Sequence, residues 1–246
     1  MASTKRLLQS LINAIFPRYC CVCGKRLLLG EHTLCISCLT HLPMTHIKGH
    51  KNNIIERLLW DDLIYTEHAN SLLYYHPKSL YCNIYFKFKY QNRPDVAVAF
   101  GRIMAQDLIG TDFFNGIDCI IPVPLSKQRF RKRGYNQSER LAHGISEITH
   151  IPVDTTSLIR IKDNPTQTHL GHSERQANVK DIFRLISPTQ LQNKHILIVD
   201  DVITTGATTK ACAHAILQSI KAKISIISLG FASERLDVDV PHWIRK

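Results

Sequence analysis

Two adjacent acids, Asp200 and Asp201, close an apolar run that starts at His195, and a small hydroxylic stretch follows them: Thr204, Thr205, Gly206, Ala207 and Thr208. Paired carboxylates accept hydrogen bonds from vicinal hydroxyls. A glycine-bearing loop that opens a helix offers successive backbone N–H groups and the positive helix end to an anion. A ligand with a diol at one end and a phosphate at the other is a ribose 5-phosphate. An isolated Asp-Asp would be no more than a solvated strand end. The specific signal is the whole order: apolar strand, DDxxTTGxT, then helix. No GxxxxGK[ST] is present, nor a GxGxxG after a strand, which argues against a P-loop or dinucleotide fold.

A second cluster is built on sulfur. Cys20-x2-Cys23 and Cys35-x2-Cys38 form two CxxC knuckles, the second starting soon after the first. Four thiolates at this spacing suit a tetrahedral metal, and with no open position the site would be structural. Zinc is the first expectation and iron the second, because iron–thiolate knuckles look similar. The competing reading is a redox dithiol. Cys21 is spare, and His32, His41 and His46 read as surface residues.

Two segments combine cations with aromatics. KQRFRKR (127–133) holds Lys127, Arg129, Arg131, Lys132 and Arg133, and no acid lies between Asp118 and Glu139. YFKFKYQNR (85–93) interleaves Tyr85, Phe86, Phe88 and Tyr90 with Lys87, Lys89 and Arg93. Stacking platforms beside cations suit single-stranded nucleic acid. The alternative puts Phe86 and Tyr90 in the core and the cations on a pyrophosphate.

The elements that must position these groups alternate. Helical spacing covers 80–91 and 95–109, interrupted by Pro94. DCIIPVP (118–124) is a short strand, 135–148 a helix, 155–161 strand-like, 195–200 a strand, 206–220 a helix and 224–231 a strand. Residues 45–64 read as a connector. Strands separated by such helices predict right-handed βαβ units and a parallel sheet. At the start, Leu7, Leu8, Leu11, Ile12, Ile15 and Phe16 recur at helical spacing, predicting an amphipathic helix that ends before Pro17 and not a signal peptide.

With 246 residues and 44% hydrophobic content, the chain can bury one sizeable core plus a small appendage. Its 31 Lys and Arg against 20 Asp and Glu give a formal charge of +11, which favours an anionic partner. No apolar run approaches the roughly 20 residues of a membrane span. The clustered and scattered placement of the eight cysteines is not a secreted disulfide framework and points to a reducing cytoplasm.

The VDD-TTG run resembles the phosphoribosyl-pyrophosphate (PRPP) motif of type I phosphoribosyltransferases. Together with the cysteine knuckles, PVPL followed by RGYNQ, the polar stretch from Thr168 to Asn178 and the FKYQ segment at Lys89, the chain resembles the ComF family of competence proteins, which includes the GntX-type members. The resemblance implies an α/β fold: a type I phosphoribosyltransferase-like parallel sheet flanked by helices, spanning 45–246, behind a four-cysteine zinc module within 1–44. It implies that Asp200 and Asp201 bind ribose hydroxyls, with Mg²⁺ accompanying PRPP, and that residues 204–208 hold the 5-phosphate. Pro122, Val123 and Pro124 would shape the pyrophosphate loop. Arg175, on a loop closing over the site, would meet the pyrophosphate, unless it is a surface helix residue.

The function so implied is handling of incoming single-stranded DNA during natural transformation, on the cytoplasmic side and peripheral to the inner membrane or a competence complex. The alternatives are an active phosphoribosyltransferase displacing pyrophosphate from PRPP with an unidentified acceptor, or an adaptor docking on a membrane complex. Hypoxanthine-guanine salvage enzymes carry an acid three positions after the second acid of this motif. Thr204 stands there, which argues against purine salvage by that route.

Overall fold

The computed structural model describes residues 16–61, 64–162 and 182–232. Helix α1 (Ile36–Thr40) belongs to the cysteine module. There follow α2 (Ile54–Leu59), β1 (Thr66–Tyr74), α3 (Cys82–Tyr90), α4 (Pro94–Leu108), β2 (Cys119–Pro122), α5 (Lys127–Arg133) and α6 (Gln137–Thr149). The remainder is β3 (Leu158–Arg160), β4 (Phe183–Leu185), α7 (Pro188–Leu191), β5 (His195–Ile203), α8 (Ala207–Leu217) and β6 (Lys223–Phe231). Four strands form one sheet in the order β1-β6-β5-β2, all parallel.

A parallel sheet is covered on both faces, so its strands read as continuous apolar runs. The two-residue period of β5 sends Leu197 and Val199 to a core shared with Phe100, Met104, Leu141 and Ile145 of α4 and α6. Ile196 and Ile198 join Ile55, Leu59, Cys212 and Ile216 of α2 and α8 on the other face. Helices α4 and α6 cross closely through Gly101 and Gly144: a Cβ on Gly101 would lie 2.1 Å from the Leu141 carbonyl oxygen. This contact seats the N-terminus of α6 against β5.

The α/β architecture is the one the sequence implies, with instructive differences. The stretch 45–64 contains α2, capped by the Asn53 side chain. Strand β1 is unforeseen because Thr66, Asn70 and Ser71 interrupt its apolar pattern, yet all three are buried. The strand-like 155–161 contributes β3, which pairs antiparallel with β4 outside the main sheet. The two helical segments are separate as expected, and Pro94 starts the second: it sits in the first turn of α4, where its missing N–H costs nothing. Strand β5 continues past Asp200 to Ile203. The amphipathic helix expected before Pro17 lies outside the described residues, as do Arg175 and the whole stretch 168–178. Among the described residues, no helix is long and apolar enough to cross a membrane.

Candidate functional site

Strand β2 stops early. Its last pair is Pro122 with Val199, and Val123 N donates to the Val199 carbonyl at 2.9 Å. The flank of β5 that faces β2 is therefore uncovered from Asp200 onward, while the flank that faces β6 stays paired to Ile203; this is the carboxyl edge, where open α/β sheets bind ligands. Asp200 is buried and its Oδ1 accepts from Ser138 Oγ at 3.3 Å and from the Asp201 N–H at 2.8 Å. Burial, and secondly the neighbouring Asp201 charge, push its carboxyl up to about 7. Asp201 Oδ2 meets Lys89 Nζ at 2.8 Å, and both side chains are largely buried.

The segment GYNQS (134–138) knits this edge together. The Tyr135 hydroxyl donates to the Phe88 carbonyl of α3. Asn136 caps α6 by accepting from Ser138 N at 3.1 Å, and its Nδ2 donates to the Val123 carbonyl at 3.0 Å. Arg133 donates to Gln137 Oε1 at 2.7 Å. The loop of Pro122, Val123 and Pro124 is thus tied to the helix that supplies Ser138 to the acids. Tyr135 and Asn136 lie within the RGYNQ motif, which by itself gives them no role, and Ser138 follows it; packing brings all three to the acids.

Beyond the acids, a cleft is lined by Asp200, Thr204, Thr205, Gly206, Ala207 and Thr208. Gly206 stands at the N-cap of α8 with φ +73°, and no side chain caps the helix. The first N–H groups of a helix have no partner within it, so uncapped they are available to an anion. Thr204, Thr205 and Thr208 are exposed beside them, whereas the Thr209 hydroxyl is spent on the Gly206 carbonyl at 2.9 Å. Glycine is required at 206 by the left-handed φ, and a Cβ there would also stand 2.8 Å from Leu59 Cδ2, the end of a side chain that would have to shift. Helix α2, from the presumed connector, is the back wall of this loop.

The four sulfurs of Cys20, Cys23, Cys35 and Cys38 lie within 4.8 Å of one another, and Cys23 Sγ and Cys35 Sγ are 3.8 Å apart. A tetrahedron with Zn–S bonds of about 2.3 Å has S···S edges of about 3.8 Å, so the residues fit a metal such as zinc. Burial pushes Cys20 up, but N–H groups of Cys35, Cys23 and Val22 outweigh it and leave the thiol at about 7. Burial and the neighbouring sulfurs push Cys38 up. Spare Cys21 is buried in the core outside the cluster. The module packs on α3, where Asn83 Nδ2 donates to the Val22 carbonyl at 2.9 Å.

Helix α3 turns Ile84, Tyr85 and Phe88 inward, and leaves Phe86 and Tyr90 about half exposed with ring centroids 5.5 Å apart. The two aromatics are therefore surface and not core. Arg133 of α5 lies over the Tyr90 ring at 5.7 Å, so the two basic segments meet. Arg129, Arg131 and Lys132 are exposed on α5, and Lys87 is half-buried on α3. Lys89, grouped by sequence with the nucleic-acid cations, points instead to Asp201.

Mg²⁺ accompanying PRPP was implied at the acids. A hard cation needs free ionised carboxylates. Here one Asp201 oxygen is engaged by lysine, while Asp200 is buried, raised and hydrogen-bonded. The acid pair does not fit a resident magnesium ion.

No family model matches the chain. It is 31% identical over 211 residues to the DNA utilization protein YhgH of Escherichia coli O157:H7, covering 84% of this chain and 87% of the relative. It is 28% identical over 205 residues to competence protein F of Haemophilus influenzae, covering 77% and 86%. A glutamine phosphoribosylpyrophosphate amidotransferase from B. subtilis, solved with ADP and GMP, aligns with 57% of this chain and 30% of its own at 21% identity and a TM-score of 0.37. With the cysteine cluster, the parallel sheet and the acid–hydroxyl run in place, the match to the Escherichia coli protein shows that the chain belongs to the YhgH/ComF family of competence proteins.

Proposed function

We propose that this protein, whose relatives are named for DNA utilization and competence, handles single-stranded DNA, and that it binds a ribose 5-phosphate ligand, PRPP or a related compound, at 200–208. The single observation that carries the reading is the double engagement of α3. One residue of that helix, Lys89, reaches the acid pair. The next, Tyr90, lies at the surface under Arg133. A stacking platform beside cations and a sugar-phosphate cleft thus share one helix.

In this reading the Asp200 and Asp201 oxygens left free by Ser138, the Asp201 N–H and Lys89 accept from the ribose hydroxyls. The N–H groups at the start of α8 and the hydroxyls of Thr204, Thr205 and Thr208 hold the phosphate. Bases stack on Phe86 and Tyr90 while Lys87, Arg129, Arg131, Lys132 and Arg133 follow the backbone. Single-stranded DNA affinity should fall steeply with salt and drop in Tyr90→Ala and Arg133→Ala; salt-insensitive or absent binding would sink the DNA half. Calorimetry with ribose 5-phosphate decides the other half, and no saturable heat would remove it. The cysteine cluster holds structural zinc, and the protein works on the cytoplasmic side, against the inner membrane or a competence complex.

A second reading, turnover, is favoured by the Asn136 contact to Val123, which draws the pyrophosphate-type loop to the acids. The bond from the anomeric carbon to pyrophosphate would break as one to the acceptor forms, with the oxocarbenium-like state stabilised by the aligned donors. Any Mg²⁺ on a pyrophosphate enters as part of that ligand. Release of pyrophosphate from PRPP, abolished when Asp200 and Asp201 are both changed to Asn, would establish it.

A further inference from the structure

Lys89 is held in place from several directions. Phe88 and Ile84 beside it on α3 are fully buried, the Phe88 carbonyl accepts from the Tyr135 hydroxyl, and Asn83 is bonded to the cysteine module. Its ammonium lies 5.7 Å from the centroid of the Tyr85 ring, one helical turn away, and 2.8 Å from Asp201 Oδ2. It sits in the last turn of the helix, where the carbonyl end favours a cation. This is a fixed charge and not a swinging surface lysine.

Among the described residues, the cation whose charge acts on Asp200 is Lys89. Asp200 and Asp201 are consecutive, and the contacts of Asp200 are a serine hydroxyl and a backbone N–H. A divalent ion at this pair would have to displace an ion pair already withdrawn from water and would still find one carboxyl buried. An ammonium, by contrast, has three donors. One is spent on Asp201, which leaves two to face a ligand oxygen.

We infer that Lys89 is the resident counter-cation of the Asp200–Asp201 pair, supplying from within the chain the charge that a divalent ion would otherwise bring, so that a ribose phosphate binds here without metal. Lys89 is then a positioning and specificity residue of the cleft, and its substitution turns the acid pair into a cation site. The half concerning the ligand rests on the ribose 5-phosphate reading; the half concerning the acids does not.

The test uses the full chain and two probes. In the first, Mn²⁺ is titrated and followed by its electron paramagnetic resonance. The wild type should show no saturable site at the acids tighter than about 1 mM. Lys89→Met should gain one, and adding Asp201→Asn should remove it. Lys89→Arg keeps the charge and should behave as wild type. In the second, ribose 5-phosphate is used because its single phosphate carries little metal of its own. Wild-type affinity should change less than about threefold between excess Mg²⁺ and Mg²⁺-free buffer without chelator, which leaves the metal at the cysteines in place. Lys89→Met should lose about tenfold in Mg²⁺-free buffer and regain part of it with Mg²⁺.

A tight wild-type Mn²⁺ site that Asp201→Asn abolishes would overturn the inference, and this pair of proteins decides it even if Lys89→Met fails to fold. A folded Lys89→Met without a new site would overturn it equally, as would a tenfold loss of wild-type affinity in Mg²⁺-free buffer. If ribose 5-phosphate binds in no arm, the ligand reading fails while the Mn²⁺ arms still decide the role of Lys89.

Discussion

The hydroxyl of Ser138 donates to Asp200 Oδ1 at 3.3 Å, joining residues 62 positions apart through the packing of α6 on β5. That bond favours the ionised carboxyl against the burial that opposes it. Ser138→Ala should therefore raise the Asp200 carboxyl further, and ribose 5-phosphate binding should need a higher pH to reach half its maximum. Carboxyl-carbon NMR of Asp200 in the two proteins measures the shift directly; a downward shift would contradict the assignment.

Asp200 also sets a sign for stability. Its carboxyl is raised from 3.8 to about 7, so across that interval the folded chain holds more protons at this site than the unfolded chain. Its contribution to unfolding free energy then falls as pH rises from about 4 to about 7 and is level above that. The difference in melting temperature between wild type and Asp200→Asn should follow this course. Ligand hydroxyls need the ionised acid, so ribose 5-phosphate binding should strengthen over the same rise. A difference independent of pH would mean that Asp200 does not titrate there.

Gly206→Ala meets two penalties: the left-handed φ of 73°, and the approach to Leu59 Cδ2 at 2.8 Å. The backbone alone should cost about 1–2 kcal/mol. Adding Leu59→Ala relieves the clash but not the dihedral, so neither phosphate affinity nor that backbone cost should return to wild type. Thermal melting and ribose 5-phosphate calorimetry on the single and double variants check both.

The sulfur cluster separates Cys35 from Cys21. Protein purified under reducing conditions should carry about one zinc, which Cys35→Ser should lose along with melting temperature. Cys21 stands outside the four, with burial pushing its thiol up to about 12. Cys21→Ser should retain the metal. Metal analysis of the two variants is decisive, and loss from both would mean that the four-sulfur assignment is wrong.

Among the described residues, the Tyr85 hydroxyl is buried without a hydrogen-bond partner, against the backbone of Gly230. A buried hydroxyl left unpaired lowers stability, so Tyr85→Phe should melt at or above the wild-type temperature. A drop worth more than about 1 kcal/mol would show that the hydroxyl has a partner.

The chemistry of the acid–hydroxyl run was legible because its parts lie within one contiguous strand, loop and helix; local residue types there dictate local geometry. The cysteine knuckles were legible for the same reason. Strand β1 was not, since its buried Thr66, Asn70 and Ser71 make sense only beside β6, a partner distant in the chain. Helix α2 was hidden because six residues are too few to show a period.

By itself, then, the sequence singled out the groups: two adjacent acids closing an apolar run, a small hydroxylic loop around one glycine, four thiols spaced for a metal, and cations interleaved with aromatics. Only the tertiary structure decided how they are paired. It sent Lys89 inward to Asp201 and Tyr90 outward under Arg133, although the two are neighbours. It buried Asp200 under Ser138 and left Asp201 to the lysine. The physical reason is that a helical period shows which residues share a face but not which strand that face will meet. That choice is made by sheet order and close helix packing, through contacts between residues far apart in the chain.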